Sequence, residues 1–402
     1  MIYLDNNATT NVAPEVLETM LPFFKEEYYN PSSMYGAAKL ARYAVESARN
    51  TFAGELKTAH NSEIIFTSCA TESINAAIFG AAKANPERRH IVTTAVEHPA
   101  VLEVCKQLQR DGYEVSIIGV DRDGNIDLHE FIRELQPETL LVAIMHANNE
   151  TGVIFPIEQL AGITKETSRK ILFFCDITQT FTKVPVNVCG NFRDVDMLAF
   201  SGHKFHAPKG VGALYIRRGT PCRSFFIGGH QEFGRRAGTE NVALIAGMAK
   251  AVDAAAEHHQ SDAERIETLR NKLQNGIIER IPNVEVNGLN AERMPNTLNV
   301  AVHYVEGESM LTMLDELEIC VSSGSACTSG SLEPSHVLTA MGVPFTAMHG
   351  SVRFSLSRYN TEEEIDFVLE HFPKVVANLR RMSPYWDQGN NCPREETSGG
   401  GS

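Results

Sequence analysis

Between Ser62 and Ile216 short apolar runs recur, each closed abruptly by polar residues and separated from the next by a helix-like stretch. They are Glu63–Thr67, His90–Thr94, Glu114–Ile118, Leu140–Ile144, Ile171–Cys175, Met197–Phe200 and Gly212–Ile216. A run of four or five mostly apolar residues suits a strand buried on both faces. Regular exchange of such strands with helical segments predicts βαβ units on a mostly parallel, seven-stranded sheet with helices on both sides, an α/β fold.

The pattern then changes. An Ala-rich helical stretch spans about Asn241 to Ile281 and stops at Pro282. Beyond it, Val284–Val286, Thr297–Val302 and Val352–Ser355 read as strands, and Gly307–Leu317 as a helix. Another helix starts after Thr361, where Thr361-Glu362-Glu363-Glu364 spells a capping box. These elements predict a smaller α/β domain made of residues 1–11 and 259–382, beside a large domain of residues 12–258. Residues 383–402 lose all periodicity and end in a linker-like Ser-Gly-Gly-Gly-Ser, so they are expected to be disordered.

Composition narrows the function classes. The 402 residues are 43% hydrophobic and 21% charged, ordinary for a globular protein with a sizeable core. A formal charge of −14 disfavours nucleic acid as a partner. No apolar stretch approaches the roughly 18 residues of a membrane span, and Met1-Ile2-Tyr3-Leu4-Asp5 carries no signal-peptide pattern. A cytoplasmic setting is expected, with the eight cysteines reduced and, lacking C-x-x-C spacing, forming neither disulfides nor a zinc site. Asp121–Asp127 has a calcium-loop flavour, but its Gly falls at the fourth position and no Glu stands at the twelfth, so a turn capped by Asp127 is expected.

Two strand ends carry the chemistry. Asp176 closes one apolar run, and Ser201-Gly202-His203-Lys204 closes another. An acid and an amine are costly to bury without a task, and ligands of such sheets sit beyond the carboxyl ends of the strands. Pyridoxal 5'-phosphate uses both groups, an amine for its aldehyde carbon and a carboxylate for its pyridinium nitrogen. Gln179 can reach the ring's phenolic oxygen. The strand–turn–helix run through Ala70 and Thr71 offers free N–H groups to a phosphate, and Thr71, Ser201 and His203 can donate to the same oxygens. His98 can stack on the ring or shuttle protons, and Asn148 and Asn149 can bond ring or substrate oxygens. A small-residue stretch, Ser322 to Ser331, reads as a flexible loop that exposes the thiol of Cys327.

Several motifs together resemble the cysteine desulfurases of the NifS/IscS type, within the class V aminotransferases of fold type I. They are Tyr3-Leu4-Asp5-Asn6-Asn7-Ala8-Thr9-Thr10, Ala70-Thr71-Glu72-Ser73, Glu97-His98-Pro99, Asn148-Asn149-Glu150-Thr151-Gly152, Ser201-Gly202-His203-Lys204, Arg236-Ala237-Gly238-Thr239-Glu240-Asn241 and the Cys327 loop. The opening motif and the Cys-Thr-Ser-Gly loop look closer to the nitrogen-fixation branch. Phe233 departs from the pattern, standing where a basic residue is expected. The resemblance implies a homodimer in which Thr239 reaches the phosphate of the partner's cofactor, and an Arg353 that binds the substrate carboxylate. It implies conversion of L-cysteine to L-alanine, with Lys204 and His98 moving protons and the sulfur held as a persulfide on Cys327. An iron–sulfur scaffold protein of the NifU/IscU type would then accept the sulfur, giving Cys327 a transient contact with cluster metal. Rival readings are an aminotransferase or selenocysteine lyase of the same fold, and a non-enzymatic thiol-rich metal carrier.

Overall fold

The computed structural model describes residues 1–323, 334–387 and 392–393. Seven strands form the main sheet in the spatial order Ile64–Thr67, Gly212–Ile216, Met197–Ser201, Leu172–Asp176, Thr139–Met145, His90–Thr94 and Glu114–Ile118. All neighbours run parallel except Gly212–Ile216, which is antiparallel to both strands beside it. Every residue of the five interior strands is buried, as their unbroken apolar runs require. One apolar cluster, including Phe52, Phe66, Phe173, Phe181 and Phe200, covers one face. A second cluster, built around Ile74, Ile78, Val101 and Phe174, covers the other.

A third cluster holds most of the remaining elements, while helices His336–Ala340 and Phe345–Met348 pack into the first. Thr297–Val302 pairs antiparallel with both Ser351–Ser355 and Val284–Val286. Helices Gly307–Asp315 and Glu362–Met382 pack there with Leu4, near the two-residue parallel pairing of Ile2–Tyr3 with Ile319–Cys320. The capping box is formed, since Thr361 accepts from the Glu364 N–H and Glu364 accepts from the Thr361 N–H. Helix Val242–Arg280 has 39 residues, so it is about 58 Å long at 1.5 Å per residue. Its Val242, Ile245 and Met248 sit in the first cluster, while Leu269, Leu273 and Ile277 sit in the third.

Two expectations change on contact with the structure. The segment after residue 382 is not structureless throughout: Trp386 is buried, the Arg380 guanidinium lies 4.4 Å from its ring centroid, and Trp386–Asp387 pairs with Cys392–Pro393. A single large indole with an apolar wall to cover outweighs the polar composition around it. Phe233 also has a local role, its ring 4.9 Å from the Arg49 guanidinium, which forms a buried pair with Glu232 at 2.8 Å. Asp127 caps helix Leu128–Glu134 as expected, and the Asp121–Asn125 segment closes on itself as a turn. No helix among the described residues is long and apolar enough to cross a membrane.

Candidate active site

Strand register decides what meets what. Asp176 pairs with Ala199, so the carboxyl ends of two adjacent parallel strands lie side by side, with Lys204 in the single helical turn Gly202–Lys204 that follows. On the other side, Ser201 pairs with Gly212 and Gly212 with Thr67. That row brings the start of helix Ala70–Ala84 beside Ser201. A Cβ on Gly212 would stand 2.7 Å from the Phe200 carbonyl oxygen and 2.8 Å from the Cys69 carbonyl carbon, so only glycine lets the strand pass this closely. Met145 pairs with Asp176, which puts Asn149 at the same edge, and Thr93 pairs with Ala143, which brings up His98.

These residues surround a cavity of about 360 Å³. Ala70, Thr71, His98, Asn149, Asp176, Gln179, Ser201, His203, Lys204 and Arg353 all line it, with Asn7, Ala8 and Cys69. The Lys204 ammonium donates to the carbonyls of Asn7 at 2.6 Å and Ala8 at 2.8 Å. The buried Asp176 carboxylate accepts from the Thr178 N–H at 2.9 Å. His98 caps helix Pro99–Arg110, its Nδ1 accepting from the Ala100 N–H at 3.1 Å, so a neutral ring carries its proton on Nε2. Burial lowers its proton affinity, Asp176 opposes this, and Lys204 and His336 add to the lowering. His203 is pushed down to about 4 by burial and by the neighbouring lysines, and remains neutral.

Arg353 reaches the cavity from strand Ser351–Ser355. Its side chain is 4% exposed, with Nη2 on the Asp5 carboxylate at 2.7 Å and Nη1 on the Asn149 carbonyl at 3.0 Å. Its Nε has no partner among the described residues, and the same holds for Ser201 Oγ, Thr178 Oγ1 and Gln179 Oε1. Unsatisfied buried polar atoms are rare and call for an explanation. Four of them in one cavity form a donor and acceptor set fitted to a polar, anionic guest. The first-turn N–H groups of helix Ala70–Ala84 have no intrahelical partners and add the phosphate end. The residues present thus fit pyridoxal phosphate: Ser201, His203, Thr71 and the Ala70 turn could hold its phosphate, Asp176 its ring nitrogen and Lys204 its aldehyde.

Two expected residues fall elsewhere, and a third is not among the described residues. Asn148 does not line the cavity: its Oδ1 accepts from the Glu150 and Thr151 N–H groups, both at 2.9 Å, and its Nδ2 donates to Val96 O at 3.0 Å. Its amide is spent on shaping the turn that presents Asn149. Thr239 is exposed and outside this chain's own cavity, in a segment tied to the first turn of helix Ala70–Ala84 by Arg236, which is paired with Glu72 at 2.8 Å. Cys327 lies outside the described residues. The described residues before and after it are held by hydrogen bonds, the first of them to Arg353 of the cavity. Ser322 exchanges two backbone bonds with Arg353, at 3.2 and 2.7 Å. Ser335 Oγ donates to Glu150 at 2.5 Å, and His336 Nε2 donates to the Glu97 carbonyl at 2.9 Å. Sequence reading gave no role to Asn7, whose carbonyl accepts from both Lys204 and Gln179 Nε2. A backbone acceptor has no side-chain signal to find.

A mostly parallel sheet with an acid and a lysine at adjacent strand ends over an anion-binding helix start defines the fold-type-I pyridoxal-phosphate architecture. Residues 2–368 match the family model described as aminotransferase class-V. The chain is 53% identical over 395 residues to a cysteine desulfurase of Trichormus variabilis, covering 97% of this chain and 98% of that one. It is 49% identical over 395 residues to the cysteine desulfurase NifS of Azotobacter vinelandii, covering 98% and 97%. A solved NifS-like protein superposes with a TM-score of 0.88 at 40% identity, covering 94% of this chain and all of that one. The chain belongs to the aminotransferase class-V family, in the group of its NifS-like cysteine desulfurases. Its relatives are pyridoxal-phosphate-dependent enzymes, so the reading as a non-enzymatic metal carrier falls; among the described residues no cluster of His, Cys, Asp and Glu could hold a metal.

Proposed function

We propose that the chain is a cysteine desulfurase that turns L-cysteine into L-alanine and holds the released sulfur as a persulfide on Cys327. The observation that carries this is the meeting of Lys204, Asp176, His98 and Arg353 around one cavity, with Ser322, shortly before Cys327 in the chain, bonded to the backbone of Arg353. Bound pyridoxal phosphate supplies an electron sink for the pair left on the substrate Cα.

The chain's own groups do the rest. Arg353, already fixed by Asp5, offers its free Nε to the substrate carboxylate. Asp176, held by the Thr178 N–H, keeps the ring nitrogen protonated. Lys204 leaves the carbonyls of Asn7 and Ala8 and takes the Cα proton. The neutral His98 presents Nε2–H at the cavity and exchanges protons with the substrate thiol. A thiol with a pKa near 8.5 is only a few per cent ionised at pH 7, so this help matters. The Cys327 thiolate attacks the substrate sulfur, a sulfur–sulfur bond forms and the Cβ–S bond breaks. The electron pair remains on the carbon skeleton, which takes up a proton and leaves as alanine.

Supporting a homodimer, the exposed Tyr28 and Tyr35 pack on the half-buried Tyr29 next to Met34, which is 99% exposed. In that assembly Thr239 serves the partner's phosphate. For the division into residues 12–258 and residues 1–11 with 259–382, the support is the apolar cluster that joins Leu4 to residues between Leu269 and Leu379. The name of one relative, cysteine desulfurase NifS, supports a role in nitrogen fixation; we extend this to cytoplasmic iron–sulfur cluster assembly for nitrogenase, with a scaffold protein of the NifU/IscU type as sulfur acceptor. The test is Cys327→Ala: sulfide and alanine formation from L-cysteine stop, while the absorbance of the bound cofactor is retained. Full turnover by this variant overturns the reading in favour of an aminotransferase or a selenocysteine lyase that needs no thiol.

A further inference from the structure

Asn7 stands where the cavity wall meets the three-stranded sheet, and it is 2% exposed. Its carbonyl accepts from Lys204 at 2.6 Å and from Gln179 Nε2 at 3.0 Å. Its amide bonds elsewhere. Nδ2 donates to Thr297 Oγ1 at 2.9 Å and to the Asn149 carbonyl at 3.2 Å, and Oδ1 accepts from Asn296 Nδ2 at 3.0 Å. The Asn7 main-chain N–H donates to Ser355 Oγ at 2.9 Å. Thr297 and Ser355 pair directly across two strands, so Asn7 is seated on one rung of that sheet. The Asn149 carbonyl that Asn7 holds also accepts from Arg353 Nη1 at 3.0 Å.

The place calls for an amide. A carbonyl only accepts, so the Asn149 oxygen requires a donor from Asn7. Asn296 Nδ2, which also donates to the Leu356 carbonyl at 3.3 Å, requires an acceptor. Aspartate has no proton for Asn149, and leucine, of the same shape, bonds to neither. On the other side, the Asn7 and Ala8 carbonyls bond an ammonium more strongly than a neutral amine. The same stretch of chain is fastened to the turn of Lys204 itself. The Thr10 N–H donates to the His203 carbonyl at 2.9 Å, and the His206 N–H donates to Thr10 Oγ1 at 2.8 Å.

Resting on the reading of the chain as a cysteine desulfurase, we propose that Asn7 is a positioning residue for proton transfer by Lys204. Its amide fixes the Asn7 and Ala8 carbonyls as the berth that receives the Lys204 ammonium each time the lysine has taken the substrate Cα proton. In that step the Cα–H bond breaks, the proton passes to the Nζ lone pair, and the electron pair stays on the carbon skeleton. Through Asn149 the same amide supports Arg353. The groups that act on Cα and on the adjoining carboxylate thus share one support. A displacement of about 1 Å between reacting atoms can cost about 100-fold in rate.

The probe is L-alanine in deuterium oxide with the cofactor-loaded enzyme, exchange of the Cα proton being followed by NMR. At saturating L-alanine, Asn7→Leu slows exchange per bound cofactor at least about tenfold, while affinity for pyridoxal phosphate changes far less. Thr297→Val, which removes an acceptor outside the cavity, slows exchange in the same direction, and Thr297→Ser, which keeps the hydroxyl, restores it. In the cofactor-free protein, competitive acetylation mapped by mass spectrometry labels Lys204 faster in Asn7→Leu than in the wild type. Where Asn7→Leu fails to fold, Thr297→Val decides. Unchanged exchange per bound cofactor overturns the proposal. So does a loss of pyridoxal phosphate affinity by the same factor as the loss of exchange, with Lys204 labelled at the wild-type rate. L-Alanine carries no sulfur, so exchange proceeds in Cys327→Ala as well; a chain that makes no alanine from L-cysteine would sink the desulfurase reading and leave this result standing.

Discussion

Gly212 is where the phosphate end of the site can be tested through the fold alone. Replacing it with alanine places a methyl group 2.7 Å from Phe200 O, 2.8 Å from Cys69 C and 2.9 Å from Cys69 Cα. All three are backbone atoms, so no side-chain rotation relieves the clash, and the strand or the start of helix Ala70–Ala84 has to move. Overpacking of this kind costs about 1–3 kcal/mol, and contact on both sides argues for the upper end, about 3 kcal/mol. At about 2 °C per kcal/mol for a large domain, the melting temperature falls by about 6 °C. The movement separates Ser201 from the first-turn N–H groups, which are the two halves of the phosphate cradle. Loss of one charge-assisted hydrogen bond, worth about 1.5–3 kcal/mol, weakens pyridoxal phosphate at least about tenfold. The assay is fluorescence titration of the apo-protein with pyridoxal phosphate and, in parallel, with unphosphorylated pyridoxal. Only the phosphorylated form should lose affinity. Equal weakening of both compounds, or a lower melting temperature with unchanged affinity for both, would refute the assignment of this row to phosphate binding.

Other consequences follow from single contacts. Arg353→Lys removes the planar fork that bonds Asp5 and Asn149 while leaving Nε free, so KM for L-cysteine should rise at least tenfold, with a smaller change in kcat; steady-state kinetics decide it. Ser335→Ala leaves buried Glu150, already pushed up to about 7 by burial, without its hydroxyl donor and removes the cap of helix His336–Ala340. A loss of about 2 kcal/mol is expected in urea denaturation, and an unchanged midpoint would show that this anchor is dispensable. His146, buried against Phe192 and bonded to Thr180, is pushed down to about 4 solely by burial. The unfolded chain therefore takes up a proton first on acidification. The stabilising contribution is complete above about pH 6.5 and is lost as pH falls toward 4, by about 3 kcal/mol in all. Denaturation midpoints measured between pH 4 and 7 should flatten in His146→Gln.

Unbroken apolar runs can only be strands covered on both faces, so the sheet and its seven members were legible in the sequence; most boundaries fall within one residue of their expected places. Asp176, Lys204 and the Ala70–Thr71 turn were legible too, because a polar group at the end of such a run has nowhere to go except the ligand side of the sheet. Tertiary structure alone decided the rest. Register, a matter of which residues pair across strands, set Ser201 against Gly212 and Thr67 and so joined the two halves of the phosphate cradle. Asn148 and Asn149 look alike in sequence, but the turn hydrogen bonds use up one amide and expose the other. Arg353 and Asp5 stand 348 residues apart, and no local pattern predicts that they pair. Local periodicity reports which face of an element is covered; what covers it, and which charges meet when it does, is fixed only when distant segments pack.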